Sequence, residues 1–172
     1  MTADRVAEVG ENRFMLHGRA ELGPRALGHR SIIANATVAG NKQWLNDIKN
    51  RESFRPVAPI CIERYAPDIF DPGSRDPYML FDHKVRPEWV DQIPAILHAD
   101  GTARLQTVDP FDCSVVFELL TEYWRLSGIP VLCNTSANFN GRGFFPSVAS
   151  AQHWGKCKFI WSEGILYTRE AK

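Results

Sequence analysis

Apolar and polar positions alternate along this chain in short bursts set off by turn residues, and the bursts switch between a period of two and one near 3.6. Residues 12–17 (NRFMLH) and 30–34 (RSIIA) predict short strands, and the Gly- and Pro-punctuated stretch 18–28 between them predicts an irregular loop. Residues 41–50 set Trp44, Leu45 and Ile48 at helical spacing, with Asn41 as the cap. Residues 57–62 and 78–81 read as strands, and the turn-rich 67–77 between them as surface loop. Residues 93–98 end in a polar loop. Residues 103–108 then alternate as one strand, with Arg104 and Gln106 on the same face. The clearest helix is 112–127: Val116, Leu119, Leu120, Tyr123 and Trp124 make one stripe, and Gly128 stops it. A buried strand over 129–133 opens into the polar loop 134–143. Ser147 starts a last helix, and strands 159–162 and 165–168 share a turn at Glu163-Gly164. Without regular βαβ alternation, the pattern predicts a single α+β or irregular α/β domain over 1–172, a twisted mixed sheet flanked by helices.

Composition narrows the function classes. The formal net charge is zero, so no global field draws the chain to nucleic acid or an anionic membrane. Of the 20 basic residues 14 are Arg, which grips phosphate or carboxylate through a planar fork. Cys61, Cys113, Cys133 and Cys157 form no CxxC pair and read as buried free thiols. Met1–Val9 lacks the basic and apolar regions of a signal peptide, so the expectation is a cytoplasmic protein.

Four polar segments are candidates for chemistry. The stretch 18–31 (GRAELGPRALGHRS) packs three arginines, three glycines and a histidine into a loop; glycines let backbone N–H groups approach an anion, and Arg25 and Arg30 supply charge. It matches neither a Walker loop nor a GxGxxG turn. A tight turn with Arg25 or Arg30 paired to Glu21 or Asp47 explains the loop equally well. Arg51 and Arg55 follow the first helix in RESFRP, where Arg55 is held extended by Pro56. HADGTARLQ places His98, Thr102 and Arg104 around an Asp-Gly turn. Asn134, Thr135, Ser136 and Asn138 follow an apolar strand and can read a small polar group or cap their own backbone.

Together, GRAELGPRALGHRSI, RESFRP, HADGTARLQTV and GIPVLCNTSANFNG resemble, in order, motifs of the C-terminal domain of O-carbamoyltransferases of antibiotic and nodulation-factor biosynthesis, over roughly residues 12–168. The last loop is also similar to that of carbamoyladenylate-forming, threonylcarbamoyl-AMP synthase-like domains. The resemblance implies that fold and a two-stage reaction. Carbamoyl phosphate yields carbamate, which attacks the α-phosphate of ATP to give carbamoyladenylate and pyrophosphate; a separate N-terminal domain with an iron site then transfers the carbamoyl group to a hydroxyl. On that likeness Arg25, Arg55, His98 and Arg104 carry catalysis, His98 as a donor to a phosphate or carbamate oxygen. Arg30, Arg51, Thr102, Asn134, Thr135, Ser136 and Asn138 hold substrate and ATP. Glu21 and Asp100 orient arginines, and Mg²⁺ arrives on ATP rather than in a protein cage. The implied partners are ATP, carbamoyl phosphate and an N-terminal transferase domain, with no membrane and no nucleic acid. The chain departs from the family's usual residues at Ala20 and Leu22, and at Arg142-Gly143-Phe144 after Gly141; no stretch resembles the N-terminal domain.

Two other readings share part of this evidence. A nucleotide- or RNA-binding module would use Trp44, Trp89 and Trp124 as stacking platforms, although these fall on apolar stripes. A threonylcarbamoyladenylate synthase would share the last loop but not GPRALG or DGTAR.

Overall fold

The computed structural model describes residues 12–139 and 142–169. The reading of Met1–Val9, and the Asn140 and Gly141 part of the predicted loop, fall outside the described residues. A seven-stranded mixed sheet organises the domain. Its strands are β1 (Arg13–Leu16), β2 (Arg30–Asn35), β3 (Ala58–Ile62), β7 (Gln106–Val108), β8 (Val131–Ser136), β9 (Phe159–Ser162) and β10 (Ile165–Thr168). They lie in the order β10-β9-β1-β2-β8-β3-β7. The β1–β9 and β3–β7 pairs are parallel and the rest antiparallel. A small antiparallel sheet, β4 (Phe70–Asp71), β5 (His83–Val85) and β6 (Thr102–Ala103), stands apart. The helices are α1 (Gly40–Ile48), the single turn α2 (Ala66–Ile69), α3 (Ser114–Ser127) and α4 (Val148–Trp154).

Strand alternation builds two cores, one on each face of the large sheet. Phe14 and Leu16 of β1 point to one, with Ile32, Cys61, Val131 and Cys133 from neighbouring strands and Leu45 of α1. Met15 points to the other, where Ile33, Ile60 and Leu132 meet Val116, Leu119 and Leu120 of α3. Each fully buried Ile, Leu or Phe contributes about 1.5–3 kcal/mol. All four cysteines are buried free thiols, as expected. Burial pushes the thiols of Cys61 and Cys133 far above the ordinary range, so neither is a nucleophile. No helix is long and apolar enough to cross a membrane among the described residues.

Local signals held where a few neighbouring residues decide the outcome. Gly128 closes α3 at φ +76° with its N–H on the Trp124 carbonyl. Ser147 and Ser150 form a reciprocal cap on α4. Glu163 and Gly164 both take positive φ, as a two-residue hairpin turn requires.

Several expectations are corrected. Residues 78–81 form no strand: the Asp76 carboxylate, 2% exposed, accepts the N–H groups of Leu80 and Phe81 that a ladder would need. Tyr78, Leu80 and Phe81 are left exposed. The predicted surface loop 67–77 includes the end of α2 and β4, with Ile69 and Phe70 fully buried. Residues 103–108 are two strands, because Leu105 N–H turns back to the Ala103 carbonyl and sends β6 and β7 into different sheets. Asn41 does not cap α1; its amide donates to the Asn35 carbonyl, and Ala39 precedes the helix without a side-chain cap. Finally, β8 runs through Asn134, Thr135 and Ser136, so those residues sit on a strand rather than in a loop.

Candidate anion-binding site

Where α1 ends beside the end of β8, the chain leaves an open polar hollow of about 410 Å³ lined by Lys49, Asn50, Arg51, Glu52, Arg55, Ser136 and Asn138. The Asn46 side chain, fully buried, donates to the carbonyls of Ser53 (3.2 Å) and Arg55 (3.0 Å) and so folds the arginine-bearing loop back on α1. From the other wall, Lys49 Nζ donates to Ser136 O (2.6 Å), to Ser136 Oγ (3.1 Å) and to Asn138 Oδ1.

Lys49, Arg51 and Arg55 are the cations that line the hollow, and Arg25 and Arg104 are not among its lining residues. Burial and then the charges of Arg55 and Arg104 lower the pKa of Arg51, with Glu52 acting against them. Burial and then Arg25 lower that of Arg104, opposed by Asp82. Such mutual perturbation requires proximity. Arg51 is thus within electrostatic reach of Lys49, Arg55 and Arg104, and Arg104 of Arg25, with Glu52 and Asp82 as opposing carboxylates. Arg55 Nε bonds Glu52 Oε2 at 2.8 Å, an exposed pair of small energetic value. The Nε of Arg104, and the Nε and Nη2 of Arg51, are buried without a hydrogen-bond partner. A cluster of like charges with unused donors is stabilised by a bound polyanion.

The other predicted site residues are placed differently. Arg30 is a staple: its guanidinium donates to the carbonyls of Phe145, His17, His29 and Gly18, and it does not line the hollow. No pair of Arg25 or Arg30 with Glu21 or Asp47 forms. Glu21 Oε1 instead accepts the backbone N–H groups of Leu27, His29 and Arg30, tying the loop rather than orienting an arginine side chain. Asn134, 1% exposed, donates to the Ala26 carbonyl and to Gln106 Oε1. Thr135 lies on the opposite face of β8 from Asn134. The Thr102 hydroxyl donates to Asp100 Oδ1 at 2.7 Å, so Asp100 shapes the turn.

His98 Nδ1 lies 3.0 Å from Thr102 Oγ1, whose own proton is committed to the Asp100 carboxylate. The ring proton therefore sits on Nδ1. Burial, and the charges of Arg104 and Lys42, lower the His98 pKa against the pull of Asp82 and Asp100. Its Nε2 is buried without a hydrogen-bond partner. The tryptophans do not offer stacking platforms: Trp44 and Trp89 pack against the first core, and Trp124 lies against Tyr65 at 5.0 Å under Arg64. One group of three carboxylates at metal-ligating distance occurs among the described residues, Glu63, Asp109 and Asp112. Arg75 bridges all three at 3.0, 3.6 and 2.7 Å and offsets part of their charge.

Sequence reasoning missed Lys49. The available signal was its position four residues after Leu45 and one after Ile48, on the buried stripe of α1, where an unpaired lysine is out of place. Burial and the Arg51 charge lower its pKa from 10.5 to about 7. Between about 7 and 10.5 the unfolded chain holds the proton that the folded chain has released, so Lys49 makes folding stability rise with pH across that window. An anion in the hollow prefers the ammonium form, so the affinity for a polyanion is expected to fall as pH rises through about 7. Calorimetric titrations across this range check the slope, which Lys49→Met should flatten; an equal slope in the variant would remove Lys49 as its source.

Comparison with known proteins gives this geometry a family. Residues 8–159 match the model of the carbamoyltransferase C-terminus. The chain is 62% identical over 155 residues to nodulation protein U of Rhizobium tropici, covering 90% of this chain and 27% of that protein. It is 43% identical over 129 residues to the 3'-hydroxymethylcephem-O-carbamoyltransferase of Streptomyces clavuligerus, covering 75% of this chain and 24% of that protein. The chain thus spans about a quarter of the length of these relatives. With the match extending over most of its residues, the chain belongs to the carbamoyltransferase C-terminus family.

Proposed function

We propose that this chain binds ATP and carbamoyl phosphate and forms carbamoyladenylate, as one part of an O-carbamoyltransferase. The observation that supports this reading is a polar hollow lined by Lys49, Arg51 and Arg55 with Glu52 as its carboxylate, and with Arg104 within electrostatic reach of Arg51. Two polyanions held side by side repel each other, and fixed cations both offset that repulsion and meet the charge that grows on the departing pyrophosphate. In the reaction water first cleaves carbamoyl phosphate to carbamate and inorganic phosphate; a carbamate oxygen then bonds to the α-phosphorus of ATP while the bond from that phosphorus to the α,β-bridging oxygen breaks and its electron pair leaves with pyrophosphate. Ser136 and Asn138, already on Lys49, are positioned to hold the carbamoyl group or the nucleotide. Glu52 is the carboxylate that lines the hollow, so the residues around it fit a Mg²⁺ delivered on ATP and supplying charge neutralisation there. The likeness to carbamoyladenylate-forming folds belongs to this same reading. So do a second, iron-bearing transferase domain contributed by the remainder of a longer protein, and a cytoplasmic setting.

The test is pyrophosphate release from Mg-ATP. Release that depends on carbamoyl phosphate is the expected result. Release only with threonine and bicarbonate would assign the chain to threonylcarbamoyladenylate chemistry, and ATP binding without release under either condition would make it a binding module.

A further inference from the structure

We infer that this chain pairs with a second copy of itself by placing Phe111 in an apolar cleft of the other copy, at the opposite end of β3 from the hollow. The inference is independent of how the hollow is read. The cleft, of about 420 Å³, opens where the parallel strands β3 and β7 end. Ile62, Pro67, Val108, Pro110 and Phe117 give it chiefly apolar walls. The hollow lies past the end of β8, beside the start of β3, because β3 and β8 run antiparallel. Phe111 follows Pro110 directly yet is 96% exposed, so its ring stands clear of its own cleft. The turn that carries it is held firmly. Asp109 Oδ1 accepts the N–H groups of Phe111 (2.7 Å) and Asp112 (2.9 Å), and Arg75 ties Asp109 and Asp112 to Glu63. An aromatic ring on a fixed backbone gives up little conformational freedom on binding, which makes it an efficient anchor. The ring and an opening of matching chemistry thus sit side by side on one surface. A second copy related by a twofold axis supplies both a cleft for Phe111 and a ring for the cleft, as an isologous contact requires. The charges agree with that pairing. Glu63, Asp109 and Asp112 leave the Phe111 turn acidic even with Arg75 among them. Arg64, on the cleft wall, is exposed and stacks on Tyr65 (4.7 Å) rather than pairing with a carboxylate among the described residues. The twofold contact sets Arg64 of each copy against the acidic turn of the other.

Sedimentation equilibrium of the full 172-residue chain over a concentration series tests this, with thermal unfolding run alongside. A reversible monomer–dimer equilibrium is the expected result. Phe111→Ser removes two buried rings from each dimer and is expected to weaken association by about a hundredfold or more. Its unfolding midpoint should stay that of the wild type, because the ring is exposed within one copy. Ser74→Trp makes the converse change: it blocks the cleft from an exposed position while Phe111 stays in place, and the same loss is expected. Mixing the two variants restores one of the two ring-in-cleft contacts, so the mixture should associate more tightly than either variant alone. A chain that stays monomeric at every concentration overturns the proposal and leaves this surface to a different partner. A dimer that both substitutions leave unchanged, or a mixture that gains nothing, overturns it equally.

Discussion

Arg104→Ala is expected to weaken ATP binding by about ten- to a hundredfold while leaving the unliganded protein as stable as before or more so. Arg104 is repelled by Arg25 and by Arg51, and its buried Nε makes no hydrogen bond. A charge-assisted hydrogen bond to a phosphate oxygen is worth about 1.5–3 kcal/mol, and each 1.4 kcal/mol is about tenfold in affinity. Removing the side chain loses that bond but also relieves repulsion and the burial of a charge in the free protein. Opposite signs for binding and stability distinguish a site residue from a core residue, whose loss lowers both. Calorimetry with Mg-ATP and a denaturant titration make the measurement. Unchanged affinity would take Arg104 out of the site.

The second large effect concerns the glycine-rich loop. Gly28 adopts φ +114°, and a Cβ there would stand 2.6 Å from Val116 Cγ2 and 3.0 Å from Cys113 Sγ, at the start of α3. Both neighbours are buried, so neither can swing away freely. Backbone strain at such a φ costs about 1–3 kcal/mol and overpacking about the same again, so Gly28→Ala should destabilise the fold by about 2–5 kcal/mol. Gly23 provides the control. It has φ +124° but open space around it, so Gly23→Ala should show the strain alone. Gly28→Ala should also weaken ATP binding, because relieving the clash moves the loop that carries Arg25. Equal unfolding midpoints for the two variants would refute the packing argument.

The arginines of the site were visible as candidates before any coordinates, but not their division of labour. Arg30 and Arg25 sit five residues apart in one motif and looked equivalent. In the fold Arg30 serves the carbonyls of Gly18, His17, His29 and Phe145, while Arg25 is exposed and its charge is felt by Arg104. Asn134 and Ser136 likewise looked alike as polar residues after an apolar run. Both belong to β8, but Asn134 is buried within the sheet against Gln106 while Ser136, the last residue of the strand, reaches the hollow. The donor role expected of His98 rests on the family likeness alone, and its hydrogen bond with Thr102, itself bonded to Asp100, is set only in the fold.

The sequence by itself determined the mixed α/β character, the α3 helix with its glycine stop, the Ser147 cap, the Glu163-Gly164 hairpin and the segments that supply cations. Each of these is decided by side chains within one or two turns, where period and turn chemistry act. Only the tertiary structure decided that 78–81 turns on Asp76, that 103–108 splits between two sheets, that Arg30 is internal, and that Lys49 is buried against β8 with its charge weakened. Those outcomes depend on desolvation and on partners dozens of residues away. The free energy of a charged or polar side chain is set by what surrounds it in space, and a one-dimensional pattern records only its neighbours along the chain.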